Sequence, residues 1–169
     1  VNLVVNKAVA TLSLNSLAQT YDGTPKVVTS TSSPAGLTVI SITYDGSATL
    51  PINAGTYAVV ASLNNSNYTA TPGTGNLVIS KDVATLSLSN TTVTYDGSPH
   101  AVTVTTAPAG LTVVSVTYNG SATVPTNAGS YAVVATLNNT NYSGSISGTL
   151  TINKATPVIT WATPTAITY

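Results

Sequence analysis

At a shift of 74 residues the chain matches itself, and this sets the size of whatever it folds into. Tyr21-Asp22-Gly23-Thr24-Pro25 returns as Tyr95-Asp96-Gly97-Ser98-Pro99, and Pro34-Ala35-Gly36-Leu37-Thr38-Val39 as Pro108-Ala109-Gly110-Leu111-Thr112-Val113. Asn53-Ala54-Gly55 followed by Tyr57 returns as Asn127-Ala128-Gly129 followed by Tyr131. Over residues 21–68, 34 of 48 positions are identical to their counterparts in 95–142. Lys7, Lys81 and Lys154 mark one place three times, 74 and then 73 residues apart. The expected organisation is therefore a first repeat at 9–81 and a second at 82–154. Residues 1–8 match the closing strand of a repeat, and residues 155–169 match the opening strand of another.

The local pattern within a repeat is strand. Tyr57, Val59, Ala61 and Leu63 share one face at period two, and their twins run from Tyr131 to Leu137. Leu37 and Val39 lie on one face and Ile40, Ile42 and Tyr44 on the other, which predicts a bulge or a change of sheet partner. Shorter strands are expected at 12–14, 27–31 and 77–80, with counterparts at 86–88, 101–105 and 150–153. Asp22-Gly23, Asp45-Gly46, Asp96-Gly97 and Asn119-Gly120 tolerate positive φ, and Pro34-Ala35-Gly36 and Pro108-Ala109-Gly110 are compact reversals. No window carries helical periodicity. The expected fold is all-β: tandem small antiparallel immunoglobulin-like β-sandwich domains forming an elongated rod, with a helix-bearing β-grasp as the alternative. Only a few residues separate one repeat's last strand from the next repeat's first, too few for a loose coil.

Composition removes whole classes of function. Four Lys and four Asp, with no Arg or Glu, give a net charge of zero, without the basic field that nucleic acid or an anionic membrane attracts. No apolar run approaches the roughly 18 residues of a membrane-spanning helix. The absence of cysteine excludes disulfides, thiolate metal sites and thiol catalysis. Thr, Ser and Asn together make 66 of 169 residues, so neutral hydroxyls and amides wet the surface where charges ordinarily would. A chain free of Met and Cys and poor in Lys and Arg gives oxidants and trypsin-like proteases little to attack, which suits an extracellular or cell-surface location.

Tyr-Asp-Gly-x-Pro, Pro-Ala-Gly-Leu-Thr-Val, Asn-Ala-Gly-x-Tyr-Ala-Val-Val-Ala, Asn-Tyr and Leu-x-Ile-x-Lys-Ala recur in this order in both repeats. The series resembles the YDG/MBG-type repeats of large bacterial secreted and surface proteins. The stretch Trp161 to Tyr169 looks like the start of a related subtype. The resemblance implies adhesin stalks and exported multi-repeat polypeptides, and it brings no catalytic residues to carry over.

The residues that could bear chemistry have simpler readings. His100 follows Asp96 by four positions, as a base and its orienting carboxylate would, but the first repeat has Lys26 there, and an exposed strand-start residue is expected. Asp22, Asp45, Asp82 and Asp96 are the whole carboxylate supply; most sit at turns, and no calcium-loop spacing exists. Lys7, Lys81 and Lys154 follow closing strands. An intramolecular isopeptide bond there would need a buried acid, whereas lysines at strand ends ordinarily guard edges. Asn64, Asn67, Asn90, Asn119, Asn138 and Asn141 begin glycosylation-type triplets, which arise by chance in so Asn- and Thr-rich a chain. Tyr57 and Tyr131 are expected to bury their rings and bond their hydroxyls locally. No catalytic, cofactor-binding or metal site is expected, and no enzyme activity or cofactor. The expected role is a stalk or spacer in an adhesin-like surface protein. The alternatives are a filament subunit assembled by strand complementation and a glycan-binding module. Expected partners are neighbouring repeats of the same chain or neighbouring subunits of a fibre.

Overall fold

The computed structural model describes residues 2–167, and among them every regular element is a strand. In chain order these are β1 Ala8–Asn15, β2 Ala18–Thr20, β3 Thr29–Ser33, β4 Val39–Tyr44, β5 Gly55–Leu63, β6 Tyr68–Ala70, β7 Gly73–Ser80, β8 Asp82–Val83, β9 Thr85–Ser89, β10 Thr92–Thr94, β11 Thr103–Ala107, β12 Val113–Tyr118, β13 Gly129–Leu137, β14 Tyr142–Ser143 and β15 Ser145–Asn153. The helix that a β-grasp requires is not among them. The strands fall into two compact units. Unit 1 is Val1–Ala84 with Asn138–Ser143, and unit 2 is Thr85–Leu137 with Gly144–Tyr169.

Unit 1 is a small β-sandwich. One sheet has the order β2-β7-β5-β4 and the other β3-β1-β6, with the short pair β14-β8 beside them. The alternation read in residues 57–63 is what the strand shows: Val59 and Ala61 are buried on the inner face with Tyr57 partly so. Val59 packs with Leu77 and Ile79 of β7, Tyr44 of β4 and Val28, and Leu14, Leu17, Ile42 and Tyr57 close the core. The sheets meet where side chains vanish. A Cβ on Gly75 would sit 3.1 Å from Leu17 Cδ1 and 3.2 Å from Leu14 Cδ1, so hydrogen at these positions lets β1 approach β7. The predicted bulge is present, since the β4–β5 register shifts between Val39 and Ser41.

Unit 2 repeats this with sheets β10-β15-β13-β12 and β11-β9. Val133, Leu150, Ile152, Tyr118 and Val102 form the corresponding core, and the bulge recurs between Val113 and Ser115. Gly148 occupies the position of Gly75, and a Cβ there would lie 2.8 Å from Leu88 Cδ1.

The expected antiparallel pairing dominates the sheets, and four short parallel pairs join it, β2 with β7, β10 with β15, β1 with β6 and β14 with β8; two other expectations are corrected. A parallel pair within one sheet ordinarily needs a helical crossover. Here the chain crosses to the opposite sheet between β2 and β7, so strands do the work of the helix. The strand expected at 27–31 instead runs from Thr29 to Ser33, because Lys26 N–H donates to the Pro51 carbonyl and Val28 N–H to the Tyr44 hydroxyl, leaving no ladder there. The counterpart expected at 101–105 moves to Thr103–Ala107 for the same reason. Finally, the described parts of the expected closing strand at 1–8 and opening strand at 155–169, residues 2–7 and 155–167, form no strand, and Leu3, Val5, Ile159 and Trp161 are exposed. The counterpart of the closing strand, at 75–80, lies in β7 because β5 and β2 flank it, and no strand flanks 2–7. Val1, Thr168 and Tyr169 lie outside the described residues.

One pair of twins differs informatively. Ser30 Oγ is buried in unit 1 without a hydrogen-bond partner, and the same position in unit 2 is Val104, packed against the core. Ser30→Val is expected to stabilise unit 1 by about 1–2 kcal/mol, since an unsatisfied buried hydroxyl is removed and apolar contact is gained. Thermal unfolding should report it as a rise of several degrees in the transition assigned to unit 1.

Candidate functional site

Tyr57 and Tyr131 begin the longest central strands, and each hydroxyl donates back to a carbonyl four residues earlier, Tyr57 to Asn53 at 2.9 Å and Tyr131 to Asn127 at 2.8 Å. The local bonding expected of them is present. The residues that sequence reasoning missed are Tyr44 and Tyr118, which are buried outright with their hydroxyls accepting from Val28 and Val102 N–H. Their position at the end of the Ile42–Tyr44 inner face was the available signal.

His100 is not an exposed strand-start residue. Its side chain is 16% exposed, its Nε2 lies 3.0 Å from Asp96 Oδ1, and its N–H donates to the Pro125 carbonyl. The cause is the Asp96-Gly97 turn, with Gly97 at φ 86°, which folds the carboxylate back over the side chain four residues on. In unit 1, Lys26 is buried in the same way with Nζ 2.6 Å from Asp22 Oδ2. Both carboxyls are held below the usual carboxylate range. For Asp22 the cause is the Lys26 ammonium bond and then the Thr24 hydroxyl and N–H; for Asp96 it is the Ser98 N–H and then the charge of His100. Lys26 and His100 thus each place a side-chain nitrogen beside the carboxylate of the preceding turn.

The sign of the pH effect follows. A carboxyl whose folded pKa is depressed stabilises the fold above its ordinary value of about 3.9, and that contribution disappears as pH falls toward the folded value. Unit 1 is therefore expected to lose stability progressively below about pH 4. Amide exchange at Val59 measured against pH should show this, with Asp22→Asn giving a flatter profile through the same window.

The other carboxylates also serve the backbone. Asp45, at φ 48°, accepts from Ala58 N–H at 2.7 Å, and its twin Asn119 accepts from Ala132 N–H at 2.8 Å, so an amide does the same work. Asp82 accepts from Val83 N–H at 2.8 Å. Among the described residues no three of His, Cys, Asp and Glu gather where a metal could be held. Lys7 Nζ donates to the Asn65 carbonyl at 2.7 Å and Lys81 Nζ to the Asn139 carbonyl at 2.6 Å, so both ammonium groups bond main chain. Of the glycosylation-type asparagines, Asn64, Asn67, Asn90, Asn119 and Asn138 are exposed and Asn141 is half-buried.

Asn141 belongs to the most elaborate polar cluster of unit 1. Its Oδ1 accepts from Ala54 N–H at 2.8 Å and its Nδ2 donates to Asn53 Oδ1 at 3.0 Å. The Tyr142 ring stands edge-on to Tyr21, with centroids 5.3 Å apart and planes at 80°, a favourable aromatic geometry. Asn139 shapes the loop, its Oδ1 accepting from the N–H groups of Asn141 and Tyr142. Tyr21, Asn53 and Ala54 thus form a cradle for an Asn-Tyr loop. In unit 2 the twins of these residues, Tyr95, Asn127 and Ala128, line a groove of about 510 Å³ together with Lys154, Ala155 and Pro157.

The architecture and the sites are duplicated together, and a comparison with protein families finds the same division. The family model described as MBG domain matches residues 10–83 and again residues 84–156. The chain belongs to the MBG domain family. The two MBG domains cover nearly all of the described residues, and their match boundary falls beside Ala84, where the compact units divide. No curated protein matches the chain. MBG domains occur in surface proteins and are in general structural modules. Among the described residues no helix is long and apolar enough to cross a membrane.

Proposed function

We propose that this pair of MBG domains is a non-catalytic spacer in an extracellular, adhesin-like surface protein, a stalk segment that sets the distance between an anchoring part and a working part. The observation that carries this reading is which positions the two domains share. Val59 and Val133, Leu77 and Leu150, Ile79 and Ile152, and Tyr44 and Tyr118 are identical and buried. Two titratable positions are exchanged, Lys26 for His100 and Asp45 for Asn119, and both members of each pair keep one local contact, with the Asp22 or Asp96 carboxylate in the first and with Ala58 or Ala132 N–H in the second. Duplication has kept what holds a sandwich together, and the titratable groups it also kept, Asp22 with Asp96 and Lys7 with Lys81, bond within their own turns or to main chain. The neutral, hydroxyl-rich surface supports an exported setting.

The test is to display a fluorescent epitope above one and then two copies of the full chain on a cell surface and to measure its height. A constant added height per copy supports the spacer; an unchanged height refutes it. A second reading, a filament subunit that exchanges strands, is favoured by the exposed Leu3, Val4, Val5, Val158 and Ile159 in segments without strand partners. Light scattering at micromolar concentration separates the two, since strand exchange gives long polymers and a spacer gives a monomer.

A further inference from the structure

We propose that the groove of unit 2 lined by Tyr95, Asn127 and Ala128 is a docking site for the Asn65–Tyr68 loop of a second copy of this chain. The proposal deepens the spacer reading, on which it rests, by naming how one repeat would hold another.

Unit 1 supplies both halves of the argument. Its cradle of Tyr21, Asn53 and Ala54 holds a loop of sequence Asn-Asn-Thr-Asn-Tyr through two amide hydrogen bonds and an edge-on ring pair. The groove of unit 2 has the same three residue types at the same repeat positions, and there Tyr95 is 40% exposed where Tyr21 is half-buried. The occupant is also present in the chain. Residues 64–68 read Asn-Asn-Ser-Asn-Tyr, and the loop is already in the bound shape: Asn65 Oδ1 accepts from Asn67 and Tyr68 N–H at 2.8 and 3.1 Å, as Asn139 does from Asn141 and Tyr142 at 2.9 and 3.1 Å. Lys7 fixes the Asn65 carbonyl as Lys81 fixes that of Asn139. Little ordering is then needed on binding, which is what makes a small contact effective. Asn67, exposed in unit 1, would take the place of Asn141, with its carbonyl oxygen on Ala128 N–H and its amide on Asn127 Oδ1. Tyr68 would set its ring edge against Tyr95. Knob and groove are different surfaces, so the contact is head-to-tail and open-ended, as a linear array of repeats requires. Between separate chains it is weak; between covalently joined repeats the effective concentration reaches the millimolar range.

The chain has no cysteine, which allows a clean test. Full-length Ala155→Cys and Ser66→Cys chains, substituted at exposed positions beside the contact so that Asn67 and Asn127 are kept, are mixed near millimolar concentration and treated with a short bis-maleimide. Ser115→Cys, at an exposed strand position, replaces Ala155→Cys as control. A double variant at the twin positions, Asp82→Cys with Thr140→Cys, calibrates reach within one chain, where Asp82 N–H donates to the Asn141 carbonyl at 2.9 Å. The expected result is intramolecular closure of the calibration pair and several-fold more dimer from the Ser66/Ala155 mixture than from the control. Closure of the calibration pair with dimer at the control level overturns the proposal, and so does a calibration pair that does not close. In the unmodified chain, amide signals of residues 65–68 and 127–128 should shift together on concentration; signals independent of concentration overturn it as well. Failure here leaves the spacer reading standing, since added height per covalent copy does not need this contact.

Discussion

Replacing Tyr44 by alanine is expected to cost unit 1 about 3–5 kcal/mol, the range for removing a large buried aromatic side chain. A unit of about 80 residues has roughly 4–12 kcal/mol in total, so this variant should leave unit 1 largely or marginally unfolded at physiological temperature. The ring sits in the core with Val28, Val59, Leu77 and Ile79, so its loss opens the cavity at the centre of the sandwich. The hydroxyl has a separate task, because it is the acceptor for Val28 N–H at 2.9 Å in a buried setting. Tyr44→Phe keeps the ring and strands that donor, at an expected cost of about 1–3 kcal/mol. Tyr118→Phe should do the same to Val102 N–H in unit 2, where the bond is 3.1 Å. Residue-resolved amide exchange checks all of these, with protection falling throughout the mutated unit. If the phenylalanine variants exchange like the parent chain, the hydroxyl bond contributes nothing and the account of why no strand forms at 26–28 fails with it.

What could be read from the sequence was what local chemistry dictates. Alternation at residues 57–63, the bulge after Val39 and the Asp-Gly turns all follow from neighbouring residues, and all are in the fold. The short parallel strands were not legible. Ala18–Thr20 and Tyr68–Ala70 are three residues each, too short for alternation to mark them, and they are strands because distant partners, β7 and β1, come alongside them. His100 was misplaced for a related reason: side chains at strand starts are ordinarily solvated, and only the folded turn brings Asp96 over it. The Asn-Tyr loop was visible as a recurring motif and as glycosylation triplets, without its geometric duty. The signal that could have found that duty was the recurrence of the longer string, Asn-Asn-x-Asn-Tyr, in both repeats while the residues after it drift.

Leu150→Ala is expected to destabilise unit 2 strongly, and comparison with Leu77→Ala in unit 1 makes it a test of packing rather than of residue type. Both leucines are fully buried, on β15 and β7, opposite Tyr131 and Tyr57 of the central strands. Each truncation falls in the range of about 2–5 kcal/mol, and the position within it depends on how far the surroundings collapse into the cavity. Unit 1 has Leu17 beside the sheet, its Cδ1 only 3.1 Å from where a Gly75 Cβ would lie, whereas the twin of Leu17 in unit 2 is Thr91. A long flexible side chain can lean into vacated space and a threonine cannot. Unit 2 is also closed more tightly, with Leu88 at 2.8 Å from a Gly148 Cβ. Leu150→Ala is therefore expected at the upper end of the range and Leu77→Ala nearer the lower, read as the loss of exchange protection at Val133 and Val59. Equal losses would mean that Leu17 does not relax, and Leu17→Thr combined with Leu77→Ala would then add nothing beyond the two single effects. If Leu17 does relax, the double variant should cost more than their sum, because the second substitution removes the group that had filled the first cavity.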